Sequence, residues 1–443
     1  MPRKRRERGA CQARRAVAAG GDWERVLEWL AGGWEERARR YGAFARRRGV
    51  RSAGDLLRLV LSASVQGWGQ QQVAGWADLA GLAHLSGAAV GKRVRQARTW
   101  LGAEVGALLR LRRAAWAERS VRVRVVDATT VRAPGGSGPD WRGHAMVDLA
   151  VGERCGLELT DHHGAESLLR QPLEPGEIAL AQRAHARRAD VGTLLARGTD
   201  LVVRIGWQNL PLETPTGDRL DLIAWLATLG TRPTERTVVV QTPTGPWSLR
   251  LLAAPLPPEQ AEQARRRCRR AASKKQRTVD RRTLLAAGFV LLVTTLDPTA
   301  WPPEDVLALY RCRWQIELLF KRLKSLWHLD QLRARDPAAA QAHLLGVFLA
   351  ALLAGEVRRT TSIPLAAWLD DPDHPLSRWR WEALRPDAIL QALRGPLDLL
   401  TLQRHLPALR RHLCDSPRRR PHQATNARCL LRAHAPDQER RCA

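Results

Sequence analysis

Lysine is scarce in this 443-residue chain. It stands only at positions 4, 92, 274, 275, 321 and 324, so 66 of the 72 basic residues are arginine. Acidic residues number 44, which leaves a net charge of +28. A coding sequence rich in G and C explains part of that arginine. The remainder implies a polyanionic partner, most simply nucleic acid. Cysteine is sparse as well: seven residues, an odd number, widely spaced and without a CxxC pair. That excludes a disulfide framework and a zinc knuckle, and it fits a reducing cytosol. Long apolar runs are missing. Leu284–Leu296 and Leu344–Gly355 are the longest and fall short of the ~20 residues of a spanning helix. No membrane partner is therefore expected. The basic start (Arg3, Lys4, Arg5, Arg6, Arg8) is followed by no apolar stretch, so it does not read as a secretory signal.

The apolar pattern has several periods. Residues 1–118 read as an all-helical region, with helical spacing at Asp22–Leu30, an apolar patch over 56–61, and a helix–turn–helix at Trp76–Leu85 and Ala88–Leu101. Ser86 is the expected N-cap. Lys92 and Arg93 on the second helix suit contact with DNA phosphates, or simply a solvated face. Strands are predicted at Val121–Val126, ending at Asp127, and then at His144–Val151, Cys155–Thr160, Ile178–Ala181 and Leu201–Ile205, with a helix at Ala189–Ala196. This mixture gives an α/β fold class. Residues 207–284 read as an insertion, β-rich at Val238–Gln241 and Ser248–Leu252. It ends in a stretch, Arg265–Arg282, that holds ten cations, Lys274 and Lys275 among them, against the single acid Asp280. Phosphate contact is the favoured reading of that density. Residues 285–335 resume with a strand at Phe289–Leu296 and a long helix at Glu304–Leu329. Residues 336–443 read as helical, most clearly at Ala338–Val357, and end in a basic tail.

The segment richest in chemistry is Tyr310-Arg-Cys-Arg313-Trp-Gln-Ile-Glu317, continuing to Lys324. At about 100° per residue, Tyr310, Arg313, Glu317 and Lys324 share a stripe about 60° wide beside the apolar face. Geometry alone also allows an amphipathic helix with an Arg313–Glu317 edge pair. The pattern Y-x2-R-x3-E-x6-K, however, resembles the YREK signature of DDE transposases of bacterial insertion sequences, in the IS-four family. Val125-Val126-Asp127-Ala128-Thr129-Thr130 is similar to the strand that bears the first aspartate of that family. The stretches 159–166, 201–204, 274–275 and 288–295 resemble others of its segments.

The resemblance implies an RNase H-like catalytic core interrupted by the β-rich insertion. Three carboxylates there hold two Mg²⁺ ions, and DNA strands are cleaved and transferred. Asp127 and Glu317 are then the expected catalytic residues and metal ligands, and Tyr310, Arg313 and Lys324 contact DNA ends. The partners implied are double-stranded DNA, as terminal inverted repeats and target, and a second copy of the chain in the DNA complex. The implied location is cytoplasmic, on the nucleoid. One position departs from the pattern. The family reads approximately A-D-R-x-Y after the short strand, and this chain reads Ala181-Gln182-Arg183-Ala184-His185. Gln182 therefore stands at the expected second aspartate, where its amide brings an oxygen but no charge. Asp161, Asp190 and Asp200 are out of register. His185 suits zinc better than magnesium. The expectation is a transposase whose chemistry is impaired by Gln182. The rivals are a DNA-binding protein without chemistry and a nuclease of the same fold.

Overall fold

Val123, Val125 and Val131 of strand β1 (Arg122–Arg132) are buried against one side of a sheet, and Val126 against the other. Both faces of the strand are therefore covered. The computed structural model describes residues 23–46, 49–117, 121–135, 139–360, 389–390, 392–393 and 423–434. The basic start, the tail at 418–421 and most of the helical expectation between 361 and 413 lie outside those residues.

The remaining strands are β2 (Pro139–Asp148), β3 (Glu153–Asp161), β4 (Glu177–Ala181), β5 (Asp200–Arg204), β6 (Thr234–Thr242), β7 (Gly245–Pro255) and β8 (Phe289–Thr294). They form one eight-stranded sheet in the order β3-β2-β1-β4-β5-β8-β7-β6. β1, β2 and β3 pair antiparallel, and β4 and β5 run parallel to β1. β8 reverses direction against β5, and the hairpin β6–β7 continues the same sheet through β8. The fold is thus a mixed α/β one. The alternation read at Val121–Val125 does mark a strand. It does not end at Asp127, as expected from sequence, but runs five residues further while paired with β2.

Arg124 lies inside this sheet, 1% exposed. It bonds Asp148 of β2 and Glu177 of β4 at once. One arginine thus joins three adjacent strands.

Helices cover the sheet. Helix Trp314–Trp327 places Ile316, Leu319, Phe320 and Leu323 in the same core as Val123 and Val125. Helix Pro337–Thr360 packs against Ala53–Val65 and Arg98–Ala115. Its portion Pro337–Glu356 is long and apolar enough to cross a membrane, but 78% of its most apolar window is buried inside the protein, as a core helix would be. In the N-terminal region, helix Gln70–Leu79 is followed by Gly87–Gln96, whose N-cap Ser86 accepts from the Ala89 N–H as expected. The second helix stops at Ala97, and Arg98–Ala115 begins a new one. The described cysteines, 155, 268, 312 and 429, are free thiols.

Candidate active site

The site begins where the parallel pairing of β1 with β4 ends. The last β1–β4 pair is Val126 with Ala181, so Asp127 and Gln182 step off side by side. Strand alternation turns Asp127 to the face of Val123 and Val125, and Gln182 to the face of Leu180. All three apolar residues belong to the core under helix Trp314–Trp327. Glu317 projects from the first turn of that helix, where the helix dipole favours a carboxylate.

The long helix expected over 304–329 is in fact two. Pro303–Arg311 ends at Cys312, and Trp314–Trp327 starts after Arg313. Across the junction the bonds tighten to i→i−3, from Arg313 N–H to Tyr310 O and from Ile316 N–H to Arg313 O. No glycine or proline marks the break. It aims Arg313 at the strand ends, where Nη1 lies 3.0 Å from Asp127 Oδ2 and Nη2 2.5 Å from Glu317 Oε1. The edge pair Arg313–Glu317 is therefore real and extends to Asp127.

Asp127 is buried. Its Oδ1 accepts from the Ala128 N–H at 2.8 Å and from Gln182 Nε2 at 2.6 Å. Burial pushes its carboxyl pKa up to about 6. The Ala128 N–H and the Arg313 charge oppose this, while the nearby Glu166 and Glu317 carboxylates reinforce it. Glu166 is a member of the site that the sequence reading missed. It belongs to the loop after β3, and its Oε2 lies 3.4 Å from the same Gln182 Nε2. Its segment, 159–166, already looked like part of the family pattern, but no spacing rule pointed to this residue.

Tyr310 is nearly buried, with the Arg313 guanidinium carbon 5.9 Å from its ring centre and Arg204 against its phenol. Lys324 is two turns further along the helix, half-buried, with no ion-pair partner among the described residues. Lys92 and Arg93 lie on helix Gly87–Gln96. Lys274 and Lys275 follow helix Pro258–Ser273 and are exposed. These two elements hold none of the carboxylates. Asp190 is buried elsewhere, where it accepts from the Leu168 N–H at 2.9 Å. Asp161 and Asp200 bond His163 and Thr295. His185 is 1% exposed, and burial lowers its pKa to about 4.

Among the described residues no three His, Cys, Asp or Glu side chains are placed to hold an ion. Arg313 stands between Asp127 and Glu317 instead, a guanidinium where a cation would bind. The donors around it are all oxygen: two carboxylates, with the Gln182 amide and Glu166 beside them. This is the donor chemistry of a hard divalent ion.

The sequence model of the transposase DDE domain matches residues 119–353. The transposase of insertion sequence element IS421 from Escherichia coli is 39% identical over 329 residues, which is 72% of this chain and 89% of that protein. The InsL protein of element IS186A from E. coli K12 matches at the same identity and coverage over 328 residues. The transposase of element IS231F from Bacillus thuringiensis is 25% identical over 269 residues, 52% of this chain and 55% of that one.

Proposed function

The chain belongs to the DDE transposases of bacterial insertion sequences, and we propose that it binds the ends of its own element and catalyses metal-dependent cleavage and transfer of DNA strands there. The observation that carries this reading is the meeting of Asp127 and Glu317, far apart in sequence, on the two arms of one guanidinium. The strand order β3-β2-β1-β4-β5, with the last two parallel to the first, supports an RNase H-like core. That core spans 119–206 and 285–335 with 207–284 inserted, and helical regions 1–118 and 336–443 flank it.

Asp127 and Glu317 would hold two Mg²⁺ ions, which when bound activate the attacking oxygen and stabilise the leaving one. The protein's own residues position the DNA. Arg313 and Lys324 offer cations to the end phosphates, and Tyr310 braces Arg313 through its ring face. Lys92, Arg93, Lys274 and Lys275 extend the phosphate contact to flanking duplex, with a second copy holding the other end. Gln182 adds no charge, so ions are held more weakly than by an aspartate there.

The test is strand cleavage by purified protein on duplexes that carry the element's terminal repeats. Asp127→Asn or Glu317→Gln should lose several kcal/mol of transition-state stabilisation. That corresponds to at least about a hundredfold in rate, with end binding retained. Gln182→Asp should lower the Mg²⁺ concentration needed for half-maximal cleavage. Retained cleavage in the first two variants would overturn the assignment.

The Arg313 bridge favours one second reading, a DNA-binding protein whose carboxylates stay neutralised. It predicts salt-dependent binding with no nicking at any Mg²⁺ concentration.

A further inference from the structure

The geometry points to Glu166 as the third carboxylate that would hold an ion here once Arg313 withdraws from Asp127 and Glu317, in place of the aspartate that Gln182 replaces. The inference rests on the transposase reading above and concerns the same site.

Glu166 is delivered there by a loop fixed at several points. Arg142 Nη1 donates to the Gly164 carbonyl at 2.8 Å, and Arg170 Nε to the Ala165 carbonyl at 2.7 Å. Arg170 is itself held by Glu158 at 2.8 Å. Asp190 receives the Leu168 N–H. Gly164 passes so close to β3 that a Cβ there would lie 2.0 Å from Thr160 Oγ1. Five groups thus order a short loop whose acidic side chain enters no ion pair among the described residues.

What distinguishes Glu166 is its place, 3.4 Å from the amide that also bonds Asp127. Arg142 and Arg170 bond the two carbonyls that precede Glu166, those of Gly164 and Ala165, and leave its carboxylate to face Gln182. Glu166 therefore stands next to the first ligand, on the side of the missing charge. Such ordering by surrounding hydrogen bonds is how ligating carboxylates are oriented. Asp190, whose place in the sequence is close to the missing aspartate, anchors this loop instead of binding.

The test is Mn²⁺ binding to the full chain at pH 8, followed by electron paramagnetic resonance. Glu166→Gln preserves size and should weaken Mn²⁺ binding by at least about tenfold, with thermal melting unchanged. Adding Gln182→Asp to that variant should restore binding, because the charge returns through the neighbouring position. Wild-type affinity in Glu166→Gln, together with weakened binding in Asp127→Asn, would overturn the role of Glu166 and leave the transposase site standing. Mn²⁺ binding that neither Asp127→Asn nor Glu166→Gln alters would overturn both.

Discussion

On the proposed reading, Arg313 and a divalent ion would compete for the same oxygens. Its two arms occupy one oxygen each of Asp127 and Glu317, and its own charge is secured by Tyr310, Glu317 and Asp127 against the cost of burial. Arg313→Ala should therefore tighten Mn²⁺ binding to the DNA-free chain severalfold while weakening binding to end DNA. The assay belongs at pH 8. Arg313 opposes the upward shift of Asp127, so its removal raises that pKa above about 6, and the carboxylate must remain ionised to bind. Weaker Mn²⁺ binding in the variant would show that the arginine organises the carboxylates and does not block them. At this scale Asp127, Gln182, Arg313 and Glu317 were legible because the family pattern fixes their order and spacing. Glu166 was not. Its link to Gln182 crosses 16 residues and two turns of chain, and a Gly-Ala-Glu-Ser loop announces no chemistry.

Between strands, the end of the sheet that carries the candidate site depends on Arg124. The guanidinium bonds Asp148 and Glu177, all three side chains being 2% exposed or less. It thereby ties β2 and β4 to β1, the two neighbours that set the direction of Asp127. Arg124→Met would leave the buried Asp148 without a cation and Glu177 with only Arg122, 3.8 Å away. The expected loss is about 3–5 kcal/mol of stability, read as a shift in the urea midpoint with an unchanged slope. Replacing Asp148 and Glu177 by leucine as well should recover much of the loss, because no charge is then left unpaired. The sequence showed this strand but not its burial, since period two cannot say which face water reaches. The continuous helix expected over 304–329 failed for a related reason. Local propensity has no breaker at Cys312-Arg313, and the break is made by what Arg313 reaches across the fold.

For the whole molecule, the charge of +28 is a poor guide until buried pairs are set aside. Arg112 with Glu356 and Arg124 with Asp148 and Glu177 hold the interior together. They contribute nothing to a DNA surface. Composition cannot separate them from exposed arginine, whereas the run at Arg265–Arg282 stood out in sequence because its acids are missing. In the fold, Lys274 and Lys275 follow an exposed basic helix, and Glu262 already pairs Arg265, Arg266 and Arg269 on it. The two lysines are among the exposed cations of that segment that form no ion pair among the described residues. Each phosphate contact contributes about 0.9 to the slope of log affinity against log salt. Lys274→Gln with Lys275→Gln should therefore flatten that slope by about 1.8, equally for end DNA and unrelated duplex, and leave Mn²⁺ binding at Asp127 unchanged. An unaltered slope would remove these two lysines from the DNA surface. A loss confined to end DNA would instead mean that the segment reads the terminal repeats, since backbone contacts alone carry no sequence information.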